Sequence, residues 1–289
     1  MQATIFTQAI LPGVLAMIMF GMGLSLTKDD FTRLVKMPKP VLVGLVGQLV
    51  LLPLLAFFIA LALNASPEIA VGLMILAACP GGTTSNLISH IAKANLALSV
   101  SLTGVTTLIC VFTTPLLIQF SIGFFSESAL ASFSLLNTSL GLLVISIIPV
   151  ILGMIVRKFF SKAARRAEPK FRALSTIFML MLIVIISYQE QEMMMEAFPS
   201  VFLIVIALNA GATLLGVVLA HLTKLDGRDG VTLGIEIGTQ NATLAILIAV
   251  SFIEQPAYAV AAGVYGVIMY FGAFVLVMLR RQHLGERPS

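Results

Sequence analysis

Apolar residues run in long, nearly unbroken stretches set apart by short charged, Pro- or Gly-containing segments, at about 4–26, 41–63, 69–93, 95–120, 134–156, 173–189, 199–222, 229–252 and 256–279. Most approach the ~20 apolar residues that a helix needs to cross a hydrocarbon core. The pattern predicts an all-α polytopic membrane protein with about nine transmembrane helices, built as one transporter-sized unit without a sizeable domain outside the bilayer. Two stretches are interrupted. The third carries Pro80-Gly81-Gly82-Thr83-Thr84-Ser85-Asn86 and the eighth Gly234-Ile235-Glu236-Ile237-Gly238-Thr239-Gln240-Asn241. They lie an odd number of stretches apart and so cross in opposite directions, which predicts an inverted-topology repeat with two crossing discontinuous helices.

Composition narrows the classes further. Of 289 residues, 59% are hydrophobic and 10% charged, more apolar surface than a soluble fold can hide. Cys79 and Cys110 both fall inside apolar stretches, so neither a disulfide framework nor a metal-ligand spacing can be read from them. No basic residue precedes the first stretch, and no cleaved secretory signal is expected. All 17 Lys and Arg fall in alternate connections, after the first, third, fifth and seventh stretches and in the tail. Glu68, Glu127, Glu190, Glu192, Glu196 and Glu254 occupy the opposite connections. The positive-inside rule then puts the N-terminus outside and the C-terminus in the cytoplasm, across the cytoplasmic (inner) membrane. The excess of positive charge is thus a topology signal and forms no nucleic-acid stripe.

Candidate chemistry gathers near the two interruptions. Backbone freed by Pro-Gly-Gly cannot face lipid and must be buried in protein or line a watery cavity. Glu236 is the one acidic residue well inside a stretch, where a carboxylate costs about 2.5–3.5 kcal/mol or more, and no Lys or Arg lies at its depth. Gln48, Ser85, Asn86, Ser99, Thr103, Gln240 and Asn241 add neutral oxygens, Ser99 and Thr103 sharing one helix face. One carboxylate among amides and hydroxyls suits a hard monovalent cation. Simpler readings stand beside this one: a lone break is usually a kink, a lone membrane hydroxyl usually bonds back to the preceding turn, and a buried Glu can be neutral. Thr83 and Asn241 adjoin the interruptions where a cavity should open and are candidate substrate contacts. An enzyme is not expected: no serine has a nearby basic partner, there is no His-Glu-x-x-His, and His90, His221 and His283 fall at the expected cytoplasmic ends.

The chain resembles the bile acid:sodium symporter family almost end to end, from Phe20-Gly21-Met22-Gly23 with Leu26-Thr27 and Phe31, through Cys79 to Asn86 and Asn95-Leu96-Ala97-Leu98-Ser99, to Glu236-Ile237-Gly238-Thr239-Gln240-Asn241. That resemblance implies a core domain, about 41–120 and 199–279, carrying the crossing helices, and a panel domain, about 4–26 and 134–189. It implies two sodium sites: Ser85, Asn86, Ser99, Thr103 and Glu236 for one, and Gln48, Glu236 and Gln240 with backbone at Ile237 and Thr239 for the other. Many bacterial relatives have ten helices; this sequence starts at what resembles their second. Tyr265-Gly266-Val267-Ile268-Met269-Tyr270 stands where bile-acid-binding relatives are more polar, so sulfated steroids, pantoate-like acids, pyruvate and other monocarboxylates are equally candidates. The expected function is sodium-driven import of an organic anion by alternating access, with sodium as coupling ion and no cofactor. A proton-coupled carrier of organic anions or metalloids with Glu236 as relay, and a non-transporting membrane sensor, are the competing readings. Nothing in the sequence specifies an oligomeric state.

Overall fold

The computed structural model describes residues 10–126 and 134–283; the start of the expected stretch 4–26, Glu127 and Arg287 lie outside them, as does the side chain of Glu196. Its helices are α1 Leu11–Ser25, α2 Lys28–Lys36, α3 Pro38–Ala62, α4 Pro67–Ala78, α5 Thr84–Ile91, α6 Leu96–Phe125, α7 Leu135–Phe159, α8 Ser161–Gln189, α9 Gln191–Leu222, α10 Gly227–Gly238, α11 Ala242–Phe252 and α12 Ala259–His283. Six of them, α3, α6, α7, α8, α9 and α12, contain apolar runs long enough to cross a membrane; α1, α4 and α11 are shorter apolar helices. There is no strand among the described residues.

The exterior is apolar as well as the core, unlike that of a water-soluble bundle. On α6, Phe112, Leu116, Phe120 and Phe124 form an exposed stripe, whereas Ser99, Thr103, Thr106 and Thr107 are buried. Such a surface is stable against lipid tails and would aggregate in water. The chain is an integral membrane protein.

Prolines set the local irregularities. Each ring displaces the carbonyl four residues back, because proline lacks an N–H and clashes with it. The π-helical turns Gly47–Leu51 and Leu143–Ile147 each contain the residue four positions before a proline in the same continuous helix, Pro53 and Pro149; another, Ile248–Phe252, closes α11 just ahead of Pro256. The first of these carries Gln48 into the protein interior.

A second recurring device ends the helices. Among the described residues, Asn64, Lys93, Lys224 and Glu254 are the non-glycine positions with positive φ (47°, 51°, 55° and 57°). Asn64 follows α3 and Lys224 follows α9; Lys93 follows α5 and Glu254 follows α11. After the first three, the next amide bonds back to close a helix stop of the Schellman kind: Ala65 N to Ala60 O, Ala94 N to Ser89 O and Leu225 N to Ala220 O, at 2.8–2.9 Å. At Glu254 the π-helical turn lengthens the loop by one residue, and Gln255 N reaches Ala249 O at 2.9 Å. Ser66, Asn95 and Asp226 then cap the next helix with their side chains.

Several boundaries differ from the hydropathy pattern. α8 begins at Ser161, well before the expected 173, because the basic connection is itself helical and pairs Glu168 with Arg172 one turn apart. Lys28, Arg33 and Lys36, expected in a loop, lie on α2, whose Asp30 accepts from the Thr27 amide and hydroxyl and holds Arg33 at 2.5 Å. The eighth stretch stays helical through Gly238, so its break is only Thr239-Gln240-Asn241. Gly234 is needed for packing: a Cβ there would lie 2.7 Å from Leu276 and 3.0 Å from the Thr213 carbonyl.

α1 packs on α7 and α8, α9 on α10 and α12, and α4 on α3 and α6. The α1–α7 contact is backbone to backbone: a Cβ on Gly23 would overlap the Val150 carbonyl, and one on Gly153 the Phe20 carbonyl. Small residues permit such approach in lipid, where packing replaces the hydrophobic effect as the force between helices. Gly153→Val is therefore expected to cost about 1–3 kcal/mol, read as a lower melting temperature of the detergent-solubilised protein by fluorescence-detected size exclusion. An unchanged melting temperature would show that α1 and α7 do not approach this closely.

Candidate functional site

The break between α4 and α5 lies against the break between α10 and α11. Gly81 and Gln240 form an isolated antiparallel bridge, the Gly82 amide donates to the Thr239 carbonyl at 2.9 Å, and the Asn241 amide donates to the Pro80 carbonyl at 3.0 Å. Each break thus satisfies backbone groups that the other releases. Gly82 has a φ outside the left-handed range, so its constraint is space: a Cβ there would lie 3.0 Å from the Gln240 carbonyl oxygen. Gly81 is tighter, because its Cβ would lie 2.7 Å from Glu236 Oε1.

Glu236, on the last turn of α10, is 1% exposed. Ser85 on α5 and Ser99 on α6 each donate to its Oε2 at 2.7 Å, and Thr103 donates to its Oε1. The same hydroxyls are also in reach of other acceptors: Ser85 of the Gly82 carbonyl at 2.8 Å, Ser99 of Asn86 Oδ1 at 2.8 Å and Thr103 of the Ser99 carbonyl at 3.1 Å. Three hydroxyl protons therefore face more acceptor oxygens than they can serve at once. An oxygen surplus of this kind, with one carboxylate and no buried Lys or Arg beside it, is a donor set for a hard cation.

On the other side of the break, Gln48 and Gln240 form a buried amide pair: Gln48 Nε2 donates to Gln240 Oε1 at 2.7 Å and lies 3.2 Å from the Cys79 carbonyl, while Gln240 Nε2 donates to the Ile237 carbonyl at 2.7 Å. The Thr239 hydroxyl is fully buried and has no hydrogen-bond partner in the described structure. The structure thus brings Ser85, Asn86, Ser99, Thr103 and Glu236 into one cluster, and Gln48, Gln240 and the Ile237 carbonyl into a second beside it.

Other contributors were not identified from the sequence. The Gly238 carbonyl, left without a helical partner at the end of α10, accepts from Tyr265 Oη at 2.9 Å and Asn209 Nδ2 at 3.0 Å. The Thr114 hydroxyl does the same for the Ala78 carbonyl at the end of α4, at 2.5 Å. Their only sequence signal is a polar group at mid-stretch, which many silent positions share.

A cavity of about 370 Å³ opens beside the first cluster, between α1, α7 and α8 on one side and α5 and α6 on the other. Thr83, Asn86, Met22 and the half-buried Arg157 line it, and Arg165 and His90 extend its lining to exposed positions. Asn241 is not on this cavity; it borders a smaller recess of about 20 Å³ that Thr83 shares. Asn241 also caps α11, accepting from the Leu244 amide at 3.1 Å.

Residues 12–197 match the Sodium Bile acid symporter family. A Bacillus subtilis protein named as the uncharacterized sodium-dependent transporter YocS is 36% identical over 88% of this chain and 77% of its own length. The probable sodium/metabolite cotransporter BASS1 of Arabidopsis thaliana chloroplasts is 31% identical over 88% of this chain, which spans only 62% of that relative. The human ileal sodium/bile acid cotransporter is 28% identical over 87% of this chain and 72% of its own. With buried oxygens at paired helix breaks and a match covering most of its length, this chain belongs to the sodium bile acid symporter family, whose members here are sodium-dependent transporters.

Proposed function

We propose that the protein is a sodium-coupled symporter that imports an organic anion by alternating access. One observation carries the reading: Glu236 sits at the meeting point of the two breaks, ringed by Ser85, Ser99 and Thr103, and is linked through Ser99 to Asn86 on the cavity wall. Sodium is assigned to two sites, one formed by Ser85, Asn86, Ser99, Thr103 and Glu236, the other by Gln48, Glu236, Gln240 and the carbonyls of Ile237 and Thr239. Glu236, shared by both sites, and the Gln48–Gln240 pair adjoin the C-terminal, partially negative ends of α4 and α10, while Ser85 and Asn86 come from the first turn of α5; Thr83 and Asn241 stand at the partially positive N-terminal ends of α5 and α11, where an anionic head group is favoured. These two residues are the assigned substrate contacts.

The architecture assigned is nine crossings in an inverted repeat, with a core of about 41–120 and 199–279 rocking against a panel of about 4–26 and 134–189. Support comes from the positive-φ helix stops, which recur after α3 and α9 and after α5 and α11 at nearly constant spacing, and from the mutual packing of α1, α7 and α8. The surplus of acceptor oxygens around Glu236 favours an ion over a proton relay, which needs only a carboxylate.

The direct test is uptake of labelled taurocholate, pantoate and pyruvate by proteoliposomes. At least one acid is expected to accumulate under an inward sodium gradient; uptake driven by a pH gradient alone would transfer Glu236 to the relay reading. Glu236→Gln and Gly81→Ala are expected to abolish sodium stimulation, the first by deleting the charge and the second by driving a Cβ into the carboxylate. Gln240→Ala should lower the sodium Hill coefficient from about two toward one. Full sodium stimulation in Glu236→Gln would remove the carboxylate from both sites.

Two sodium ions entering with a monovalent anion move one net positive charge inward, so an inside-negative potential adds about 2.3 kcal/mol per 100 mV. Uptake should rise when a potassium diffusion potential is imposed with valinomycin; indifference to it would exclude this stoichiometry.

For orientation, Gln255 and Ala163 are both exposed and lie in connections of opposite charge character, whereas Ala164 is buried and cannot report. A cysteine at 255 should react with an impermeant thiol reagent on intact cells and one at 163 should not; the reverse pattern would invert the topology.

A further inference from the structure

Seven basic residues run from Arg157 to Arg172, and the fold sets three of the four arginines and none of the three lysines against the cavity. Arg157, Arg165 and Arg172 line the cavity, whereas Lys158, Lys162, Lys170 and Arg166 do not. On α8, Arg165, Glu168 and Arg172 are spaced so as to form one stripe facing the cavity. Lys158 turns away and lays its ammonium over the Phe159 ring at 5.0 Å, as a lysine does at a membrane surface. A signal for topology alone has no reason to separate arginine from lysine by face, because either serves the positive-inside rule.

The two side chains differ in what they can hold. Guanidinium offers a planar fork of donors that matches a carboxylate or sulfonate, whereas ammonium is a strongly hydrated point charge. Arg172 is occupied by Glu168. Arg157 and Arg165 have no carboxylate within ion-pair distance among the described residues, and Glu168 is the sole acidic residue on the cavity wall. Arg157 comes from α7 and Arg165 from α8, so two forks from different helices meet one lumen whose far wall carries Asn86 and His90.

We propose that Arg157 and Arg165 form an anion-binding site at the rim of the cavity, which holds the carboxylate or sulfonate of an organic anion as it passes between the cavity and the side bearing the basic residues. This rests on reading the cavity as a path for organic anions, and it requires nothing of sodium coupling. The site lies apart from the assigned contacts at Thr83 and Asn241, so an anion would be handed from helix ends to guanidinium forks.

The test uses phenylglyoxal, which modifies free guanidinium groups, on the whole protein in phosphatidylcholine nanodiscs in sodium-free choline chloride, with modified arginines quantified by peptide mass. Pyruvate, a small carboxylate, and taurocholate, an amphipathic sulfonate, are the probes. At least one is expected to slow modification of Arg157 and Arg165 saturably, by about tenfold at ten times its half-protecting concentration, while Arg166 reacts at an unchanged rate. Arg165→Gln should raise the half-protecting concentration at Arg157 about tenfold or more, Arg165→Lys by less, and Lys162→Gln not at all. Equal modification with and without both probes, or equal protection of Arg166, overturns the site. So does protection by phosphatidylglycerol in the bilayer without protection by either free probe, which would make it a lipid headgroup site. Because sodium is absent throughout, loss of sodium coupling leaves this result standing, and sodium-driven uptake without protection would remove only the arginine site.

Discussion

Everything at the centre of the molecule depends on peptide groups that a bilayer cannot satisfy. A helix that stops at mid-depth releases N–H and C=O groups, each costing several kcal/mol if left bare in hydrocarbon. Here two helices stop at the same place and answer one another, Gly82 to Thr239 and Asn241 to Pro80. Residue choice around the junction follows. Gly81 and Gly82 have no side chain because the facing chain and the Glu236 carboxylate occupy that space. Tyr265, Asn209 and Thr114 reach in from three other helices to take up carbonyls that the bridge leaves over.

The junction also sorts charge. Two helix C-termini and two N-termini meet within it, giving neighbouring regions of opposite partial charge without a buried Lys or Arg. The Glu236 carboxylate and the Gln48–Gln240 pair lie with the C-termini, whereas Ser85 and Asn86 bring their oxygens from the first turn of α5. The N-terminal ends open toward the cavity and its recess. Ser99, within reach of both Glu236 and Asn86, is where the two regions touch.

Much of this was legible in the sequence because it follows from solvent. Hydropathy located the helices, and the expense of an intramembrane carboxylate singled out Glu236. The amide and hydroxyl residues flanking the breaks do gather around it. The extent of each break was not legible: Gly234 looked like part of an interruption, yet it sits inside a helix as a packing surface, a distinction that only the neighbouring Thr213 and Leu276 reveal. Asn209, Tyr265 and Thr114 escaped for the same reason, since nothing local says which remote carbonyl a lone polar group will meet. The helical start of α8 was hidden by its charge, which depresses hydropathy without opposing helix formation. Asn241, expected beside the interruption where a cavity should open, borders the side recess, and its side-chain oxygen caps α11, a role the sequence alone did not indicate.

The reciprocal pairing of the two breaks also has a consequence for how the chain is made. Gly81 leaves the ribosome well before Gln240, and at about 5–20 residues per second the intervening stretch takes roughly 8 to 30 s to synthesise. Throughout that interval the first break has no counterpart, so its amides and carbonyls require water or another protein to receive them. The nascent chain therefore cannot release its third apolar stretch, or the segments flanking that break, into lipid as finished helices. They have to be held at a hydrated site, or beside an insertion factor, until the second half of the sequence arrives.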